Sequence, residues 1–395
     1  MEIIITLLKY YGGHDFIPNI NGFERADELR RLRVTRQSGG LISEAELPSK
    51  LNALRDFKST IPMDKIYGLL GLMDPAISIE VDYTKGAEGL FTDLAVRYLQ
   101  RGCVDILYYC GEVHQPTSLS LPSWVPDWTR QYWTRSFLLR DLPSNATGDT
   151  KFQPSVDPNR QTIRLRGRLL DRILLVNDQA EIPVAQYEPY NRTVHGDPQE
   201  HRRNRAKVEQ RRLLDALEQS VRLAWPNADR FTWEKYESMW RTFICNRFVD
   251  GSIPIEDCGY SWELFLDFLR RRTANEDEDE RRCYYQEVVP VDTTGVRQKE
   301  KQRMGETEIL RYFSACTRWC YNRRFFVSSA ERYGWAVDGT KTDDIVAILY
   351  GCPIPFSLRE SDHGTYKILG DCYIHGLMDG EGLEGEFEET EFVIS

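Results

Sequence analysis

Histidine is scarce in this chain, with six copies in 395 residues. The patterns that would put it to catalytic use are missing as well. No G-x-S-x-G, H-E-x-x-H, Walker loop or Cys-His nucleophile pattern occurs. That excludes the serine-hydrolase elbow, the zinc-protease helix and the phosphate-cradling loop. General-base chemistry would fall to carboxylates, of which Asp64 and Asp127 are the tempting ones. A cap or a buried hydrogen-bond acceptor explains each more simply. Long apolar runs are also absent. The stretch from Met1 to Leu8 is too short for a membrane span and lacks the basic region that precedes a signal's apolar core. The expectation is a soluble, cytoplasmic chain with no membrane span. Nine cysteines show no paired spacing, which points to reduced thiols and not to a disulfide framework. The net charge of −10 argues against a nucleic-acid-binding surface spread over the whole protein. Aromatics fall at helix and strand spacings, not in a basic stripe, so no stacking platform for bases is expected.

What remains is an ordinary globular composition, 41% hydrophobic and 28% charged, with length for two or three domains. The apolar spacing predicts an α+β fold, a mainly helical body with a small antiparallel β-sheet or barrel near the C-terminus. Helices are expected near Leu7-Leu8 (broken at Tyr11-Gly12-Gly13), over Leu47–Phe57 and over Lys85–Arg101, with Leu90, Phe91, Leu94, Ala95, Tyr98 and Leu99 as its apolar stripe and Gly102 as stop; Asp27–Arg33 is a short, strongly basic stretch. Val104–Cys110 reads as a strand, and residues 129–160 as a linker or long surface loop. Thr162–Gly167 and Asp171–Val176 read as paired strands. Residues 177–203 read as loop, and helices follow over Asn204–Ala224, about Trp233–Ile244, from Ser261 as N-cap to Arg272, and over Glu306–Tyr321. Between the last two, Glu276–Glu280 is an acidic run expected to be solvated and poorly ordered. From Arg324 the period changes from four to two, giving five short strands ending near Tyr373, then a solvated acidic tail, Asp379–Glu391. The expected division is 1–128, 129–160, 161–323 and 324–395.

Several patterns invite sharper readings. Gly380-Glu381-Gly382-Leu383-Glu384-Gly385 matches G-x-G-x-x-G, but no βαβ unit follows and its carboxylates would repel a pyrophosphate. Cys352, His363, Cys372 and His375 invite zinc. No C-x-x-C pair anchors them, and strand spacing points Cys372 and His375 to opposite faces, so buried thiols and a surface histidine are expected. The basic run His201–Lys207, with Arg211-Arg212, reads as a solvated loop and helix start more than as an import signal. No catalytic residue, cofactor site or metal site is expected.

Two stretches stand apart. Asp64-Lys65-Ile66-Tyr67-Gly68-Leu69-Leu70-Gly71-Leu72 reads as a short helix with Asp64 as N-cap and Gly71 as the left-handed stop. Leu121-Pro122-Ser123-Trp124-Val125-Pro126-Asp127-Trp128 reads as a stiff extended strap with large apolar faces. With Val81-Asp82-Tyr83 and Asp105-Ile106-Leu107 between them, and Arg324–Val327 and Gly370–Gly380 later, the ordered series resembles fungal heterokaryon-incompatibility (HET domain) proteins. By that resemblance Asp64, Lys65, Tyr67, Gly68, Leu70, Gly71, Trp124, Pro126, Asp127 and Trp128 are family signature positions of structural kind. The family's Ser-Tyr-x-Trp-Gly strand and Trp-Ile-Asp-x-x-Cys-Ile-Asn-Gln stretch have no counterpart here. The chain is therefore expected to be the C-terminal half of such a protein, lacking the N-terminal HET core. The resemblance implies a non-catalytic signalling or scaffold part in non-self recognition and programmed cell death, with other incompatibility proteins as partners and no nucleic acid. The alternatives it leaves are a NAD-cleaving enzyme, like Toll/interleukin-receptor domains, in full-length form, and an inert gene fragment.

Overall fold

The computed structural model describes residues 20–55, 57–111, 118–130, 136–157, 159, 161–177, 198–226, 232–254, 258–273, 306–320, 322–361 and 364–395. The expectations for Leu7-Leu8, Tyr11–Gly13, Glu276–Glu280, His363 and residues 178–197 lie outside them.

The N-terminal part is helical: α1 Ile20–Gln37, α2 Leu47–Ala53, α3 Asp64–Tyr67 and α4 Gly86–Gln100. The basic Asp27–Arg33 stretch is the middle of the longer α1. In α4 the predicted stripe of Leu90, Phe91, Leu94, Ala95, Tyr98 and Leu99 is buried, and Gly102 takes the positive φ that ends it. Val104–Tyr109 is a 3₁₀ helix and not the expected strand. Its consecutive apolar residues Ile106, Leu107, Tyr108 and Tyr109 are all buried, and such a run carries no period to distinguish the two.

The body continues with α5 Pro198–Ala224, α6 Trp233–Phe243, α7 Cys258–Thr273 and α8 Glu306–Cys320. Helix α5 starts at Pro198, upstream of the expected Asn204, with proline at its first position. Helix α7 starts at Cys258, so Ser261 lies inside its first turn and is not the N-cap. Thr232 does cap α6, accepting from the Lys235 N–H. Tyr236, Trp240 and Phe243 of α6 face the core with Trp262 of α7 and Tyr312 of α8, and the Phe243 and Trp262 rings stack at 5.5 Å.

Among the described residues the sheet has nine strands: β1 Ser155–Val156, β2 Ile163–Val176, β3 Arg323–Ser328, β4 Tyr333–Val337, β5 Ile345–Leu349, β6 Phe356–Glu360, β7 Tyr366–Asp371, β8 Tyr373–Ile374 and β9 Thr390–Ile394. Strands β5, β6, β7, β9 and β2 follow one another, and β2 pairs back with β5, closing those five into a barrel. Beyond the ring, β2 pairs with β3, which leads to β4 and β8. Among the described residues all pairings of these strands are antiparallel except β7 with β9, which is parallel through Tyr366 and Ile394. The protein is α+β.

Two strand expectations are corrected. Residues 163–176 form one 14-residue strand and not a hairpin. Register shifts between Leu169 and Asp171 and between Ile173 and Leu175 are bulges, whose break in alternation mimics a turn. Gly167 belongs to close packing: a Cβ there would lie 2.0 Å from the Ile348 carbonyl oxygen. The acidic tail ends in β9, where buried Phe392 and Ile394 complete the barrel, so it is solvated only in part. The described part of 129–160 has little regular structure yet is pinned to the barrel. Asn145 donates to the Met378 carbonyl at 2.9 Å and Ala146 to that of Pro353 at 2.9 Å.

Candidate functional site

The signature positions fall into two groups: those of Asp64–Gly71 are engaged within the helical unit, and those of the strap lie at the joint between that unit and the barrel. Asp64 does not cap α3; Met63 holds that position, and the Asp64 carboxylate instead accepts from the Tyr83 hydroxyl at 2.8 Å. Lys65 reaches back to the carbonyls of Arg55 and Phe57, closing off the chain that leaves α2. The Tyr67 hydroxyl both accepts from the Asp82 N–H and donates to its carbonyl, each at 3.1 Å. Its ring meets Tyr83 edge-on at 5.2 Å. Gly68 ends the helix in right-handed conformation, and the stop expected at Gly71 is not left-handed. Leu70 opens a 3₁₀ turn whose end bonds to Ile42.

The strap is bent, not extended. Val125 donates to the Pro122 carbonyl at 3.0 Å, and the Asp127 carboxylate accepts from the Thr129 N–H at 2.9 Å and from its hydroxyl at 2.5 Å. Two local turns thus fold the segment so that both tryptophans point inward. Trp124, Val125, Pro126, Asp127 and Trp128 are buried. On the barrel side, Ser123 is the stitch. Its N–H and hydroxyl donate to the Ser395 carbonyl at 3.0 and 2.5 Å, and its oxygen accepts from the Ile368 N–H of β7 at 3.0 Å. Trp124 donates to the Gln161 carbonyl at 3.4 Å. On the helical side, the Arg55 guanidinium lies 4.6 Å from the Trp128 ring and donates to the Tyr109 carbonyl at 2.8 Å. The Tyr109 ring stands 5.7 Å from Trp128. Burial raises the Tyr109 pKa to about 12, so its hydroxyl stays protonated.

A second polar cluster escaped sequence reasoning. Arg323 of β3 and Asp371 of β7 form a buried ion pair at 2.7 Å, and Arg323 also donates to the Asp371 carbonyl at 2.9 Å. The other carboxylate oxygen accepts from the Ser136 hydroxyl at 2.7 Å and the Phe137 N–H at 2.5 Å, and the guanidinium lies 3.4 Å from the Phe137 ring. Each charge is thus paired and hydrogen-bonded inside the core, which is what makes such burial tolerable. The pair ties the segment after the strap to the β3 and β7 strands. Its only sequence signal was position, since Arg323 adjoins the Arg324–Val327 motif and Asp371 lies within the Gly370–Gly380 one.

The zinc candidates do not come together as a site. Cys352 and Cys372 are buried free thiols, and burial pushes both well above the usual thiol range. His375 is half-buried and not a surface residue, its Nδ1 2.9 Å from the Tyr373 hydroxyl. Among the described residues no three His, Cys, Asp or Glu side chains are grouped to hold a metal ion. Gly380–Gly385 forms a 3₁₀ turn over Glu381–Leu383. Among the described residues no helix is long and apolar enough to cross a membrane.

Residues 232–394 match the Het-6 beta-barrel domain. Over 371 residues the chain is 25% identical to heterokaryon incompatibility protein 6, OR allele, of Neurospora crassa, with 84% of this chain covered. The chain spans about half the length of that relative, 50% of which is covered. No solved structure is significantly similar to it. The match to the barrel domain takes in α6, α7, α8 and β3 to β9 but leaves out β2, the strand that closes the ring.

Proposed function

We propose that this chain is a non-catalytic signalling or scaffold part of a heterokaryon-incompatibility system, acting in non-self recognition and the cell death that follows fusion of unlike hyphae. The observation that carries the reading is the use made of the signature residues. Asp64, Lys65 and Tyr67 fix the helical unit internally, Asp127 fixes the turn of the strap, and Trp124 and Trp128 are buried where the strap joins the helical unit to the barrel. Residues spent on fixing two units in one geometry suit a platform for partner proteins, here other incompatibility proteins in the cytoplasm. The similarity to heterokaryon incompatibility protein 6 supports the biological setting.

The test is genetic and biochemical together. Deleting the gene from one of two strains that reject each other should let the fused cells survive, while the purified chain leaves NAD intact. Unchanged rejection would remove the incompatibility reading and leave an inert product. NAD turnover that disappears in Asp64→Asn or Asp127→Asn would replace the scaffold reading with an enzymatic one.

A further inference from the structure

The outer face of β2 carries a row of cations. Arg164, Arg166 and Arg168 occupy alternate positions, so their side chains leave one face of the strand about 6.6 Å apart. The chain's own acidic segment lies across them. Arg166 grips Glu389 with both prongs, Nε to Oε1 and Nη2 to Oε2, each at 2.7 Å. Arg164 meets Glu391 at 2.7 Å. Arg168 donates to the Gly382 carbonyl at 2.6 Å, and its guanidinium lies 4.4 Å from the Phe387 ring. A shallow cleft beside Arg166 is lined by Lys151, Phe152, Gln153 and Tyr350.

This cover is held differently from the strand that follows it. β9 is locked by backbone pairing to β2 and by buried Phe392 and Ile394. Upstream, Gly382 is buried against Leu170 and Ile348. Between these anchors, Gly385 to Glu389 make no backbone–backbone hydrogen bond among the described residues. The segment is attached through side chains only. Its ion pair with Arg166 is about half exposed on the arginine side, and pairs in such a setting are weak. Glu386 and Glu388 are exposed and contribute no ion pair among the described residues.

We propose that residues 384–389 are a removable acidic cover over an anion-recognition face centred on Arg166, with Arg168 and Tyr350 beside it, and that an acidic peptide segment of a partner protein binds there in its place. An acidic peptide is favoured because the present occupant is one, with its Glu389 carboxylate held by the Arg166 fork and its Phe387 ring beside the Arg168 guanidinium. The arginine fork that holds Glu389 gives the face its geometric selectivity. Tethering makes the cover an intramolecular competitor, so it sets a threshold that a partner must exceed. The inference does not depend on the incompatibility reading.

The probe is a fluorescent peptide of this chain's own Glu384–Glu389 sequence, titrated by anisotropy against the full chain. Glu389→Gln/Phe387→Ser, which loosens the cover, should bind it at least about ten-fold more tightly than the parent. Adding Arg166→Ala should abolish that gain, and high salt should weaken the binding. Equal affinity in parent and loosened chain would overturn the proposal, as would a gain that survives Arg166→Ala. Displacement of the peptide by equimolar inorganic phosphate, or by a single-stranded oligonucleotide at lower concentration, would also overturn the assignment to an acidic peptide. Hydrogen exchange on the parent chain gives an independent reading should a variant fail to fold. Amides 385–389 should exchange at least about a hundred-fold faster than those of 391–394, and equal protection would defeat the cover.

Discussion

Trp124 shows how a single side chain can belong to two units at once. Its indole is buried, donates to Gln161 ahead of β2, and follows a serine that holds the last residue of the barrel. Trp124→Ala would leave a cavity at this joint and is expected to destabilise by about 3–5 kcal/mol, read from the denaturation midpoint. A midpoint unchanged by the substitution would mark the strap as an exposed recognition element. His375 supplies a second residue-scale expectation, this time in pH. Burial, helped by the positive charge of Arg241 and opposed by Glu237 and Glu381, pushes its pKa from 6.5 down to about 4. The unfolded chain therefore binds the proton more readily than the folded one between those values. Stability from this group is full above pH 6.5 and falls as pH is lowered towards 4, by up to about 3 kcal/mol. Urea midpoints at pH 7.5 and 4.5 should converge in His375→Asn relative to the parent chain. An identical pH dependence in both would assign the acid sensitivity elsewhere.

At the scale of elements, β2 is the decisive one. It pairs with β1, β3, β5 and β9, which requires it to pass close to its neighbours and to bend. Gly167→Ala would drive a Cβ into the Ile348 carbonyl, which is backbone and cannot rotate away. The expected loss is about 1–3 kcal/mol or more, and a thermal midpoint unchanged by the substitution would disprove the close approach. This strand also shows where sequence is legible and where it is not. The five strands after Arg324 were readable because β-branched and aromatic residues alternate between glycine-bearing turns. In β2 the same alternation is interrupted by bulges, and a bulge and a turn look alike when only one strand is in view. β9 had its signal in Phe392 and Ile394, masked by the glutamates before them. The signature positions were visible through resemblance, but their roles were not. Asp64 suits an N-cap by type, yet the chain places Tyr83 within reach of its carboxylate. The partners of Ser123, Trp124 and Arg323 lie far along the chain, and no local pattern encodes such pairings.

For the molecule as a whole, the question is which part of the chain folds by itself. The segment that matches the barrel domain, 232–394, has its own helices and most of the strands. It lacks β2. Removing β2 opens the ring between β5 and β9 and strips β3 of a partner, leaving backbone donors and acceptors of three strands unpaired. It also removes the buried side chains of Ile163, Leu165 and Ile173 from the core. Open, apolar strand edges favour association with other chains over a folded monomer. Residues 232–395 expressed alone are therefore expected to be insoluble or to lack a cooperative unfolding transition. Joining residues 150–177 to that segment through a flexible linker should restore both solubility and a sharp transition, because ring closure needs the strand and not the intervening α5. A cooperative transition from 232–395 without β2 would show that the barrel closes by a different pairing, and that β2 is added to a fold already complete.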